Sequence, residues 1–285
     1  MHHIGKLGVF EPSPTFEGHS QGFTEAVLVD HSFGSVHTGL SIAQLDGGGS
    51  LAPHMHAYEV GFYILSGHVV VTIDSETYRL AAGDYGCLKV GTLHAWRNPG
   101  TDAVRWLRMA APQPKPQGLE RDTFFQKDGQ PPEDGEALDP ANPRGHLLGH
   151  FDESQIPAGD EGRMVAAGLK GVFLKWLIDE NFGAIHHRLL FIEYLPGVGI
   201  GPHDHTYEEA YFILSGEVEA VLDGRRYLAQ AGDVLWTSTG CTHAFKNVGS
   251  EPVRWLETFS PQPPRENVFR FMAEWEQKAK ELEGA

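Results

Sequence analysis

Apolar residues along this chain come in short runs, not at helical spacing. VVVTID (69–74), YRLAAGDYGCLKV (78–90) and VRWLRM (104–109) are rich in Val, Ile, Leu and aromatics. EVEAVLD (217–223), RRYLAQAGDVLWTS (225–238) and VRWLETF (253–259) repeat that texture. Turn-forming GGGS, LSG, AAGD, NPG, LDG and NVGS separate the runs. Short runs at this spacing, punctuated by Gly, Pro, Asn and Asp, predict strands of a sandwich or closed barrel. The exception is ENVFRFMAEWEQKAKELEG (266–284). Its Val268, Phe269, Met272 and Trp275 are spaced for one helical face, so residues 264–285 are expected as a C-terminal amphipathic helix.

The runs occur twice. A shift of 149 residues aligns Gly22–Pro114 with Gly171–Pro263 without a gap, with 35 identities in 93 positions. Repeats are the first organisation to look for, and this one sets the expected domains. They are an N-terminal barrel with its arm (1–114), a Pro/Gly-rich polar linker (115–165), a C-terminal barrel (166–263) and the helix. The motif D-x-x-F-G-x-x-H recurs at 30–37 and 179–186, which marks it as architectural.

The repeats differ at one telling place. PHDHTYEEAYFILSG (202–216) aligns with PHMHAYEVGFYILSG (53–67), so Glu209 stands where the first copy has Val60. On a strand, residues two apart share a face. His203 and His205 therefore point the same way, Glu209 keeps that parity, and His243 follows on a later strand. Three imidazoles and a carboxylate make a first shell for a divalent transition metal: Fe, Mn, Ni, Zn, Co or Cu. In the first copy His54, His56 and His94 remain, giving either a three-histidine site or a pocket that has lost its ion. Glu59 is next to Val60, but parity turns it to the other face, and its counterpart Glu208 is present beside Glu209.

The second copy reads G197-x5-H203-x-H205-x3-E209-x6-G216, then G232-x5-S238-x-G240-x2-H243-x3-N247. This resembles the two motifs of the cupin superfamily. The first copy resembles them too, with Val60 in place of the glutamate. Ser238 and Lys89 stand where the family usually has Pro. The resemblance implies an all-β bicupin, that is, two tandem double-stranded β-helix (jelly-roll) barrels. It also implies a metal-dependent enzyme acting on a small organic substrate, either a carboxylate or enolisable compound or an aromatic one. The H-x-H-x3-E spacing resembles quercetinase-like dioxygenases, and this puts dioxygenase first. Isomerase, decarboxylase, hydrolase or purely ligand-binding roles stay open, because the scaffold does not choose among them. Glu209 is expected both to ligate the ion and to accept a substrate proton.

Parity and proximity place Tyr207, Tyr211, Trp236 and Phe245 around the pocket, and Arg188 is expected there as a carboxylate-binding cation. The net charge of −16 argues against nucleic-acid partners, and the chain has no run apolar enough to span a membrane. Two cysteines and no apolar leader fit a cytoplasmic protein whose partner is a small molecule. The sequence leaves a homodimer open.

Overall fold

A computed structural model describes residues 1–6, 11–116, 121–139, 148–158, 163–166, 169–262 and 269–272. The chain forms two compact units. One comprises Phe10–Glu153 with Leu177–Arg188, and the other Met1–Val9, Ser154–Trp176 and Leu189–Ala285.

The first unit is one curled sheet of antiparallel neighbours, apart from the short parallel pair of Glu136–Ala137 with Glu76–Ala81. Its long strand Gly39–His56 pairs with Ser20–Val29, Val104–Ala111 and His94–Arg97. Alternation decides what lies inside. On Glu59–Ser66, Val60, Phe62 and Ile64 join the buried core with Trp96 and Trp106. Glu59 takes the opposite face, as parity requires.

The second unit repeats this plan in two sheets. Glu208–Ser215 pairs with Val253–Ser260 and Val234–Thr237, and Gly199–His205 pairs with His243–Asn247. Its core holds Tyr207, Tyr211, Ile213, Leu235, Phe245 and Trp255.

Several motif residues are fasteners. Asp30 accepts the Ser32 N–H at 2.8 Å and caps a one-turn 3-10 helix that ends on Gly34 at φ 95°. Asp179 accepts the Phe182 N–H at 2.9 Å in the matching turn, where Gly183 has φ 92°, so the Asp and Gly of the recurring motif close a turn in both copies. Asn247 is buried, donates to the Tyr194 and Glu251 carbonyls (both 2.9 Å) and accepts the Gly249 N–H. Asn98 does likewise in the first unit. At Gly216 the backbone has φ 77°, and a Cβ would come within 2.7 Å of the Pro252 carbonyl, so the motif glycine is obligatory there.

The segments outside the repeats do more than their polarity suggests. His2–Gly5 adds a strand to Val234–Thr237 of the second unit, Ile4 packs against that core, and His2 bonds the Tyr227 hydroxyl at 2.9 Å. From the stretch expected as linker, Thr123–Phe125, Glu136–Ala137 and Leu148–His150 pair into the first unit. Their backbone donors meet open strand edges, which composition does not reveal. The expected C-terminal helix begins later than its apolar spacing suggests. Phe269–Phe271 is a strand, paired with His203–His205, because backbone pairing to that edge overrides the helical spacing there. Met272 is helical, and residues 273–285 lie outside the described ones.

Candidate metal centre

In the second unit, His203 and His205 end one strand, His243 begins its antiparallel neighbour, and Glu209 enters from Glu208–Ser215. Register brings His203 opposite His243. The three imidazoles have ligand nitrogens within 4.8 Å of one another, and all three are buried. Glu209 Oε2 lies 2.8 Å from His205 Nε2 and 3.3 Å from His243 Nε2.

The outer nitrogens explain why the inner ones are available to an ion. His203 Nδ1 bonds the Gly201 carbonyl at 2.8 Å, His205 Nδ1 that of Tyr207 at 3.1 Å, and His243 Nδ1 that of Cys241 at 2.9 Å. A carbonyl only accepts, so each Nδ1 carries a proton, and each Nε2 is left as the nitrogen that could serve an ion. Burial holds the His203 pKa down at about 4. Burial also works against the Glu209 charge, but the His205 and His243 imidazoles outweigh it and keep the carboxyl well below its usual range. His243 shifts the other way from His203: burial lowers its pKa, but the Glu209 hydrogen bond and charge outweigh this and raise it. A divalent cation binding here would displace any proton shared between these imidazoles and the carboxylate, and this donor set could hold one.

The pocket residues divide. Tyr207 stacks on His205 with centroids 3.9 Å apart, and Phe245 packs on Tyr211 at 4.7 Å. The Tyr211 hydroxyl donates to Glu209 Oε2. Trp236 is buried elsewhere. It pairs with Ala210, between the inward residues Leu235 and Thr237, so the pleat turns it to the opposite face from the histidines. Arg188 pairs with Glu180 at 2.7 Å and belongs to the first compact unit, not to the second.

Two features escape a reading of the motifs. One is Glu257, opposite Tyr211 and between the inward-facing Trp255 and Phe259. It keeps some accessible surface and accepts the Trp255 indole N–H at 3.0 Å. Burial, then the Glu209 charge, push its pKa well above normal, toward the protonated form. The other is the strand Phe269–Phe271, which lies along His203–His205 and brings Phe271 within 5.5 Å of His203.

In the first unit His54, His56 and His94 converge equally closely, and His54 Nδ1 and His94 Nδ1 bond carbonyls at 2.8 and 2.9 Å. Thr123–Phe125 runs along them as Phe269–Phe271 does in the other unit, and Thr123 Oγ1 bonds His56 Nδ1 at 2.9 Å. The surroundings differ: Val60 replaces the glutamate, and Arg108 stands at the position of Glu257. Glu59 does not join these histidines and lies instead with Cys87 and His187. It accepts the N–H groups of Ile185, His186 and His187 at 2.9, 3.0 and 3.3 Å, and His187 Nδ1 at 2.7 Å.

Comparison with known proteins agrees with this architecture. The cupin domain family matches residues 41–109 and again 190–259. The chain is a bicupin of the cupin superfamily. This bicupin is 32% identical over 74 residues to polyketide synthase CurC of Streptomyces cyaneus, covering 26% of the chain and 48% of that protein. It is 37% identical over 62 residues to the oxalate-binding protein of Thermotoga maritima, covering 21% and 51%. It thus spans about half the length of each of these relatives. Oxalate decarboxylase from Bacillus subtilis superposes with a TM-score of 0.65 at 16% identity, over 95% of this chain and 78% of that one. At that identity the likeness is one of fold. Among the described residues no helix is long and apolar enough to cross a membrane.

Proposed function

We propose that this bicupin is a divalent-metal enzyme of the second barrel that acts on a small organic carboxylate, with loss of carbon dioxide as the favoured reaction. The observation that carries the reading is the placement of two glutamates, shifted in opposite directions, on one inner wall. Glu209 is drawn toward the ionised form among three imidazoles, and Glu257 toward the acid form opposite Tyr211. His203, His205, Glu209 and His243 would hold the ion, which when bound supplies Lewis-acid polarisation of a carboxylate.

The residues supply the remainder. Tyr207, Phe245 and Phe271 exclude water around the centre. Breaking a carbon–carboxylate bond leaves an electron pair on carbon, and that carbon needs a proton. Glu257 carries one and regains it from solvent after turnover. Tyr211 holds the Glu209 carboxylate in place through its hydroxyl. The oxalate-binding and oxalate decarboxylase relatives, the latter described with Mn(II) centres, support small-carboxylate chemistry and a metal of this class. The dioxygenase role implied by the resemblance to quercetinase-like enzymes gains no support from them.

The test is metal-loaded protein assayed for carbon dioxide release from oxalate, malonate and other small carboxylates. Turnover that falls at least about 100-fold in Glu257→Gln with metal content unchanged would support the assignment. Saturable binding with no product under Mn, Fe, Co, Ni, Cu or Zn would leave a binding protein instead.

A further inference from the structure

The first barrel keeps all three histidines of a metal site and inverts the charge around them. Where the second barrel has Glu209 and Glu257, the first has Val60 and Arg108. Arg108 faces inward, opposite Phe62 and two residues from Trp106. Its Nη2 lies 3.4 Å from His56 Nε2 and donates to the Tyr58 hydroxyl at 2.8 Å. Arg108 is the charged side chain that bears on His54, His56 and His94 alike. A dication at the focus of these imidazoles would sit against a fixed guanidinium with no carboxylate in the shell. The donor set survives, but the electrostatics do not fit a metal.

They fit an anion. Arg108 lines two cavities: a small one of about 10 Å³ at the histidines, and a larger one of about 840 Å³ that also reaches Tyr58 and Thr123. Glu25 sits 3.5 Å from Arg108 Nη1 and is itself bonded by Ser41 at 3.1 Å, which fixes the guanidinium from one side. A planar guanidinium with donors left over, a neighbouring hydroxyl and an apolar inner wall make a recognition site for a carboxylate. The larger cavity has the size of an organic ligand's body, beyond what a two-carbon acid would need, and away from Arg108 its wall is polar, with Glu17, Asp30, Lys115 and Asp122.

We infer that the first barrel is a metal-free binding site for an organic carboxylate, whose carboxyl group is received by Arg108 beside the histidines and whose body extends into the larger, polar cavity. The inference does not rest on the chemistry proposed for the second barrel. It gives the chain one cation site and one anion site built on the same scaffold.

The experiment has two arms. Wild-type protein is titrated with Co(II) and its metal content measured by elemental analysis. One ion per chain is expected, and two ions, falling to one in His54→Ala, would overturn the inference. Metal-stripped protein is then titrated with benzoate, oxalate and formate, followed by the fluorescence of Trp96 and Trp106 and by calorimetry. Saturable benzoate binding is expected, tighter than formate, and weakened at least about 10-fold in Arg108→Gln and less in Arg108→Lys. Absence of binding by all three probes, or benzoate binding undiminished in a folded Arg108→Gln protein, would also overturn it. The metal count uses only the wild-type chain for its expected result, so it decides the question even if the arginine variants do not fold.

Discussion

Glu59→Gln isolates a buried carboxylate that resembles a ligand in sequence and acts as a clasp in structure. Wild-type Glu59 is buried and accepts four hydrogen bonds, three from consecutive backbone N–H groups at 185–187 and one from His187 Nδ1. Glutamine keeps the shape but offers one acceptor oxygen. If that oxygen keeps the His186 and His187 partners, the amide NH₂ faces the Ile185 N–H, donor against donor. Such a loss in a buried place costs about 1–3 kcal/mol, and the surviving bonds drop from charge-assisted to neutral strength, about 0.5 kcal/mol or more each. Removing the charge from a buried site returns part of that. The expected loss is about 2–4 kcal/mol. Urea unfolding followed by tryptophan fluorescence reads it as a lower midpoint with an unchanged slope. Metal content should stay at the wild-type value. A protein as stable as wild type that has lost a metal ion would show that Glu59 is a ligand, and that the strand-parity reasoning fails.

The same carboxylate predicts a pH dependence. Burial alone would raise its pKa, but the His187 imidazole and the backbone donors more than offset this and bring it below the ordinary value. Its stabilisation is therefore full above the unfolded glutamate range, near pH ~4.3, and is lost as the pH falls through the lower folded value. Unfolding midpoints from pH 7 to 3 should show a decline in wild type that Glu59→Gln lacks. Asn247→Ala should cost about 2–4 kcal/mol in urea unfolding, because it strands two buried carbonyls and one N–H. Gly61→Ala would place a Cβ 2.3 Å from His187 Nε2, so it should lower the melting temperature without altering metal content. Glu209→Val, which copies the first barrel's residue, should reduce metal affinity of the second barrel by at least about 10-fold in a competition with a chelator.

The repeat and the two-residue period made much of this molecule legible. They placed Val60 inside, Glu59 outside, and His203, His205, Glu209 and His243 together, because a pleated strand leaves side chains only two faces. Trp236 escaped because nearness to a motif turn does not say which face a residue takes. Arg188 escaped because its strand begins where the chain passes from one compact unit to the other. The strands His2–Gly5, Thr123–Phe125 and Phe269–Phe271 carry little signal of their own. Backbone edges supplied by distant sequence recruit them. Glu257 and Arg108 were visible in the alignment as a charge reversal at one repeat position. Their meaning needed the register that sets them beside Tyr211 and Phe62.

The compact units do not respect the repeat boundary. Residues 1–9 belong with the second copy, and 177–188 with the first, where Glu59 receives them. Cutting this chain between its repeats would therefore not release two barrels. The first piece would carry a buried carboxylate facing donors that had left with the other half, and the second would lack the edge strand His2–Gly5. Duplication followed by such an exchange works in one direction only. Substitution can make the two copies differ at a site, as Val60 and Glu209 do, but neither copy can be deleted without unmaking its sibling. A barrel bound to remain can diverge at its centre while its frame is kept.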